Sequence, residues 1–155
     1  MVQCYNEMLY HTDMIAFSFD LSHYEEMADE TGREFKNKQE KWMVGRQQFL
    51  RRMITDNVIN TNGKHHLLGC GLPQEFQFYK HADYKWLYSL DTSNPVVHGI
   101  KGIEYPSGGL WTKESQKLFE LINEEVNAET LSKIKTNIQR FRWYTNGNEA
   151  VDNLF

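Results

Sequence analysis

Three stretches of the chain are apolar and β-prone with few polar interruptions: DMIAFSFDL at 13–21, KHHLLGC at 64–70 and KWLYSLDTS at 85–93. Each predicts a mostly buried strand. Between the first two, Trp42, Met43, Arg46, Phe49, Leu50, Met53, Ile54 and Val58 recur at helical spacing, which predicts an amphipathic helix over 40–59 lying on a sheet. Asn60-Thr-Asn-Gly63 ends it with turn chemistry, and Pro73 to Tyr79 predicts a short helix between the second and third strands. The order β-α-β-α-β, with buried strands, predicts a parallel sheet joined by right-handed helical crossovers.

The rest of the pattern is less regular. SHYEEMADETGREFKNKQEK at 22–41 is polar and charged, and predicts a long excursion rather than a packed element. NPVVHGIKGIEYPSGGL at 94–110 is rich in glycine and proline and predicts an irregular connection, with a short strand at Gly99 to Tyr105. Two C-terminal helices follow. Thr112 is placed to cap the first, with Leu118, Phe119, Leu121 and Ile122 on its apolar side; Asn127 is placed to cap the second, with Leu131, Ile134, Ile138 and Phe141 at threes and fours. Residues 1–144 read as a single α/β domain and 145–155 as a tail.

Composition narrows the class. The chain has 155 residues, 40% hydrophobic, 25% charged and 14% aromatic, with net charge −4, the values of a globular protein rather than a disordered one. No apolar run is long enough for a bilayer, and the first residues lack the basic and apolar regions of a secretory signal, so no membrane association is expected and the expected location is the cytoplasm. Cys4 and Cys70 stand far apart with no C-x-x-C pair, which points to reduced thiols. Charge is uneven: Arg33 to Arg52 holds seven Lys or Arg against two Glu. Such a block is a solvated helix face or a phosphate contact; in the second case Arg46, Arg51 and Arg52 bind nucleic acid.

The second strand ends in Gly69-x-Gly71, and a helix starts at once with Pro73 and Glu75. A βα corner of this kind is where parallel α/β proteins place functional loops. From here the residues 65–105, HHLLGCGLPQEFQFYKHADYKWLYSLDTSNPVVHGIKGIEY, resemble a segment of the tRNA-guanine transglycosylase superfamily, which includes the queuine and archaeosine enzymes and relatives placing 7-deazaguanines in DNA. The shared pattern is an apolar strand, a G-x-G-x-P-E/D corner, a helix, then an apolar strand ending in an aspartate with a proline close behind. Gly69, Gly71, Pro73, Asp91 and Pro95 match it, while the acid comes late, at Glu75. The strand at Met14 to Asp20 is similar in placement to the barrel strand before.

The resemblance implies a partial (β/α) barrel, since a complete one takes ~250 residues. It implies a transglycosylase-like protein that exchanges guanine for a 7-deazaguanine in tRNA or DNA, with a purine base as co-substrate. Either one half of a split enzyme or a phage-encoded form fits. Asp91 is then the nucleophile, attacking C1′ of the ribose, and Asp20 and Glu75 are acid/base candidates. Gly69, Gly71, Asn94 and His98 are implied as substrate-binding residues. The family's zinc site is not carried over, because no cysteine follows Cys70, and VVHGIKG at 96–102 stands where the tRNA enzymes read TRNARNG.

The residues themselves leave other readings open. Asp91 is placed to cap the Thr92-Ser93-Asn94 turn, and Asp20 and Glu75 are placed as helix-start acids. His65 and His66 fall on opposite sides of a strand and cannot chelate one ion together, so no metal and no cofactor is expected; no P-loop, dinucleotide fingerprint or triad spacing occurs. A non-catalytic binding domain derived from such a barrel is the alternative function. Missing strands leave open sheet edges, so a homo-oligomer or a partner chain completing the barrel is expected.

Overall fold

The computed structural model describes residues 2–19, 22–69, 71–114 and 116–146. Asp20, Cys70 and most of the tail, 147–155, lie outside the described residues. The fold is α/β. Strands β1 (Met14–Phe17), β2 (Lys64–Leu67) and β3 (Leu87–Leu90) form a parallel sheet in the order β1-β2-β3, as the apolar runs predict. Helices α1 (Val2–His11), α2 (Ser22–Asp29), α3 (Lys38–Thr55), α4 (Asn94–Ile100) and α5 (Ala128–Asn146) complete it, with short 3-10 helices at Pro73–Lys80, Ala82–Tyr84 and Leu118–Leu121.

Strand alternation decides which sheet face is covered. Ile15, Phe17, His65 and Leu67 point into one core with Phe49, Leu50, Met53, Phe76 and Trp86. The core contains one polar side chain of β2, His65, stacked against both Tyr5 and Phe17, whose rings also stack on each other, with Nε2 at 2.8 Å from the Tyr5 hydroxyl. Opposite them, Met14 (39%), Leu68 (45%) and Tyr88 (64%) are exposed, together with Ala16 and Lys64. Parallel sheets are ordinarily covered on both faces. Here helices cover one, and among the described residues neither outer strand has a second β partner.

Helix α3 forms as its periodicity dictates, with Asn37 Oδ1 accepting the Glu40 N–H at 2.9 Å as the N-cap. It ends earlier than expected, at Thr55, where Asn57 takes positive φ. The polar excursion expected at 22–41 is corrected: residues 22–29 are a helix that buries Tyr24, Met27 and Ala28 against α3. Three apolar side chains at i, i+3 and i+4 suffice when the rest of the helix faces water. The approach is close enough that a Cβ on Gly45 would lie 1.9 Å from the Tyr24 carbonyl oxygen. Gly45→Ala is therefore expected to cost about 3 kcal/mol or more, since backbone cannot rotate away and the gain in helix propensity is only ~1 kcal/mol; a denaturation midpoint close to that of the native chain counts against this.

Two further expectations are corrected. Residues 99–105 contain no strand; 94–100 form α4, which Pro95 can start and Gly102 at φ +74 ends, with the Ile103 N–H donating to the His98 carbonyl at 2.8 Å. Of the two C-terminal helices, the first is only the 3-10 turn at Leu118–Leu121, because Phe119 (66% exposed) and Ile122 (79%) find nothing to pack on. The second, α5, forms as predicted with Asn127 Oδ1 accepting the Thr130 N–H at 2.9 Å, and continues past 144 to Asn146. Its buried Asn137 accepts from the Tyr105 N–H at 2.8 Å and donates to the Ile103 carbonyl at 2.8 Å, which fixes the segment after α4. No described helix is long and apolar enough to cross a membrane.

Candidate functional site

Parallel register brings the C-terminal ends of β2 and β3 together. His66 pairs with Ser89 across the strands after a one-residue irregularity at His65/His66, and Asp91 follows Ser89 by two residues, so it leaves the strand on the same face. His66 Nε2 lies 2.9 Å from Asp91 Oδ1 and Nδ1 lies 2.8 Å from Ser89 Oγ. A carboxylate only accepts, so Nε2 carries the proton; in neutral His66, Nδ1 then accepts from the Ser89 hydroxyl. The Gly69 N–H donates to the same Asp91 oxygen at 3.1 Å. Gly69 has φ +66, and this left-handed conformation turns its N–H toward the β3 end.

Asp91 is thus a carboxylate with Oδ1 fixed by two donors and a side chain 60% exposed on the bare sheet face. Partial burial works to raise its pKa, and the hydrogen bonds from His66 and Gly69 outweigh that, leaving it below the ordinary aspartate value. With the native pKa below the unfolded one, its contribution to stability is present above the unfolded value of ~3.9 and is lost as pH falls through the native value. Carboxyl titration followed by NMR is expected to give a midpoint below ~3.9, moving upward in His66→Ala; a midpoint unchanged by that substitution would show that His66 does not hold the charge. Asp91 does not cap its turn: the Asn94 N–H donates to Thr92 Oγ1 at 3.0 Å.

Other predicted site residues are placed elsewhere. Glu75 is corrected as an acid/base candidate and Arg46 as a nucleic-acid contact. Both are fully buried, and Arg46 Nε and Nη2 bind Glu75 Oε1 and Oε2 at 2.7 and 2.9 Å, a bidentate ion pair. Arg46 also donates to the Leu68 and Gly69 carbonyls at 3.0 and 3.2 Å, so it clamps the glycine corner from behind. Gly71 is explained by packing rather than by substrate: a Cβ there would stand 2.0 Å from the Phe19 ring.

Asn94 and His98 are buried and already engaged. Asn94 Nδ2 donates to the Gly71 carbonyl at 2.9 Å, and its Oδ1 accepts from the Tyr105 hydroxyl. His98 Nδ1 lies 2.9 Å from the Asn94 carbonyl oxygen; burial lowers its pKa, against the opposing effect of that bond, so it stays neutral and donates. Neither is free to bind a base directly, a correction to both. Arg51 and Arg52 are exposed on the last turns of α3, where Arg51 shares a hollow with Asp83 and Tyr84, just before β3 begins. Arg52 pairs with Glu30 at 2.8 Å. These arginines sit at the strand-start end, away from Asp91.

His66 and Ser89 are the site residues that sequence reasoning missed. The alternation of β2 puts His66 on the face opposite the core, which was readable; its pairing with Ser89 was not, because it depends on the irregularity in register. Among the described residues no group of three or more His, Cys, Asp or Glu could hold a metal ion. No family model, curated protein or solved structure matches this chain.

Proposed function

We propose that the chain is a transglycosylase-like part of a (β/α) barrel, related to enzymes that exchange guanine for a 7-deazaguanine in nucleic acid, with Asp91 as the carboxylate that attacks the sugar. The observation that carries this is the Asp91 carboxylate at the C-terminal end of a parallel strand, where such folds place their sites, with one oxygen fixed and the other left unengaged by His66 and Gly69. In the reaction Oδ2 bonds to C1′ as the bond from C1′ to the base nitrogen breaks; the base leaves with the electron pair and takes a proton. An incoming base nitrogen then bonds to C1′ and gives up its proton to solvent, which makes good the proton that solvent supplied to the departing base, and the ester oxygen leaves with its electron pair, restoring the carboxylate.

The bare sheet face and the two open edges fit a site completed by further strands, whether from a second copy or from another chain. In a closed barrel that bare face is the inner one, carrying His66, Ser89 and Asp91. One observation favours a second reading, a non-catalytic binding domain of the same origin: Glu75 is consumed by Arg46, so the glycine corner supplies no acid for the departing base. The test is label release from guanine-labelled tRNA and DNA, with and without a 7-deazaguanine acceptor. Acceptor-dependent release supports the enzyme; no release by folded chain supports the binding domain.

A further inference from the structure

Beyond the Asp91 corner lies a cavity of about 530 Å³, walled by Gln39 and Trp42 of α3, Ser93 and Asn94 of the β3–α4 corner, and Lys113 and Lys117 of the following loop. We propose that it holds the phosphodiester backbone of a single-stranded nucleic acid, with Lys113 and Lys117 on the phosphates and the Trp42 ring against a base. The placing of a sugar at Asp91, and with it the identity of the reacting nucleotide, rests on the function proposed above.

Charge pairing separates these lysines from their neighbours. Lys38 is held by Glu25 at 3.0 Å, Lys41 by Asp29 at 2.7 Å, and Lys101 by Glu114 at 2.6 Å, which also pairs off Glu114, a carboxylate of the cavity wall itself. Among the described residues Lys113 and Lys117 form no ion pair; their ammonium groups stand near aromatic rings, Lys113 at 5.8 Å from the Phe19 centroid and Lys117 at 5.7 Å from that of Phe119. A cation beside an aromatic surface, unpaired and at the edge of a cavity, suits a phosphate next to a stacked base. Two residues before Lys113 in the chain, exposed Trp111 carries Lys36 at 3.5 Å from its ring centroid, a further cation beside an aromatic ring.

Position and geometry select a single strand. Ser93 is two residues past Asp91, at most ~7 Å along the backbone, so a sugar at Asp91 puts its neighbouring phosphate within reach of the cavity. A base must be unpaired and unstacked to meet the half-buried Trp42 ring inside a concave site, which a duplex does not offer. Arg51 and Arg52 are not part of this cavity: they line other hollows, and ten helical residues, about 15 Å, separate Trp42 from Arg52 along α3.

The experiment is fluorescence anisotropy of the full chain with a short labelled oligothymidylate, its duplex and free thymidine monophosphate, over a range of salt. The native chain is expected to prefer the single strand. Lys113→Gln with Lys117→Gln should weaken binding about tenfold at low salt and reduce the slope of log affinity against log salt by about 1.4, two contacts' worth for a single strand. Arg51→Gln with Arg52→Gln should bind as the native chain does. Loss in the arginine variant but not in the lysine variant overturns the proposal. So does equal affinity for duplex or mononucleotide, or no binding by native chain whose circular dichroism shows it folded. Because binding is read without transfer, lysine-dependent binding with no base exchange would remove the function proposed above and leave this site standing.

Discussion

Replacing Arg46 with methionine is expected to cost about 3–5 kcal/mol, a fall in Tm on the order of 10 °C for a chain of this size. The guanidinium is fully buried, and burial alone disfavours its charge; Glu75 more than restores it, so its pKa is raised. Without Arg46 the Glu75 carboxylate would stay in the core with the Tyr79 hydroxyl, at 2.8 Å, as its remaining side-chain partner. The Leu68 and Gly69 carbonyls would also lose their donor. Adding Glu75→Leu to Arg46→Met removes the stranded charge and should return part of the loss, which separates the penalty of an unpaired buried ion from the worth of the pair. Urea denaturation measures both; a single-variant loss under ~1 kcal/mol would mean that water reaches the pair. The variant should also loosen the glycine corner whose N–H holds Asp91, so the Asp91 titration midpoint should rise with it.

Arg46 also shows what was legible in the sequence. It belongs to the basic block and also to the helical apolar spacing of α3, between Met43 and Phe49, all three buried, and a charge on that stripe must find a buried partner. The partner itself, Glu75, follows a turn 29 residues on, and no local pattern announces it. The strands and α3 were readable because period-2 and period-3.6 apolar spacing are properties of the chain alone. Helix α1 was not, because its main anchor is Tyr5, whose hydroxyl meets His65 at 2.8 Å and accepts the Asn60 N–H at 2.8 Å, contacts 60 and 55 residues away. The helix expected from Thr112 shrinks for the opposite reason: Leu121 is buried, but Phe119 and Ile122, on the same predicted apolar side, are left exposed with no surface to pack on. At the candidate site the position of Asp91 was legible from the end of an apolar run, and its two donors were not, since they come from the neighbouring strand and from a left-handed glycine.

Asp91→Asn is expected to bring base exchange to background while leaving stability within about 1 kcal/mol of the native chain. The amide keeps an oxygen that can accept from the Gly69 N–H and from His66 Nε2, and the side chain is 60% exposed, so little packing is lost. The turn after β3 does not depend on it, because Thr92 Oγ1 takes the Asn94 N–H. What the amide lacks is the anionic oxygen that attacks C1′. A second signature follows from the covalent step: native chain mixed with its nucleic acid should yield an ester adduct that survives denaturation, and Asp91→Asn should yield none. Equal label release by the two proteins rules out the nucleophile role, whatever the stability result. An adduct in the variant would place the attacking group elsewhere on the bare face, where Ser89, already within 2.8 Å of His66, is the next nucleophile in line.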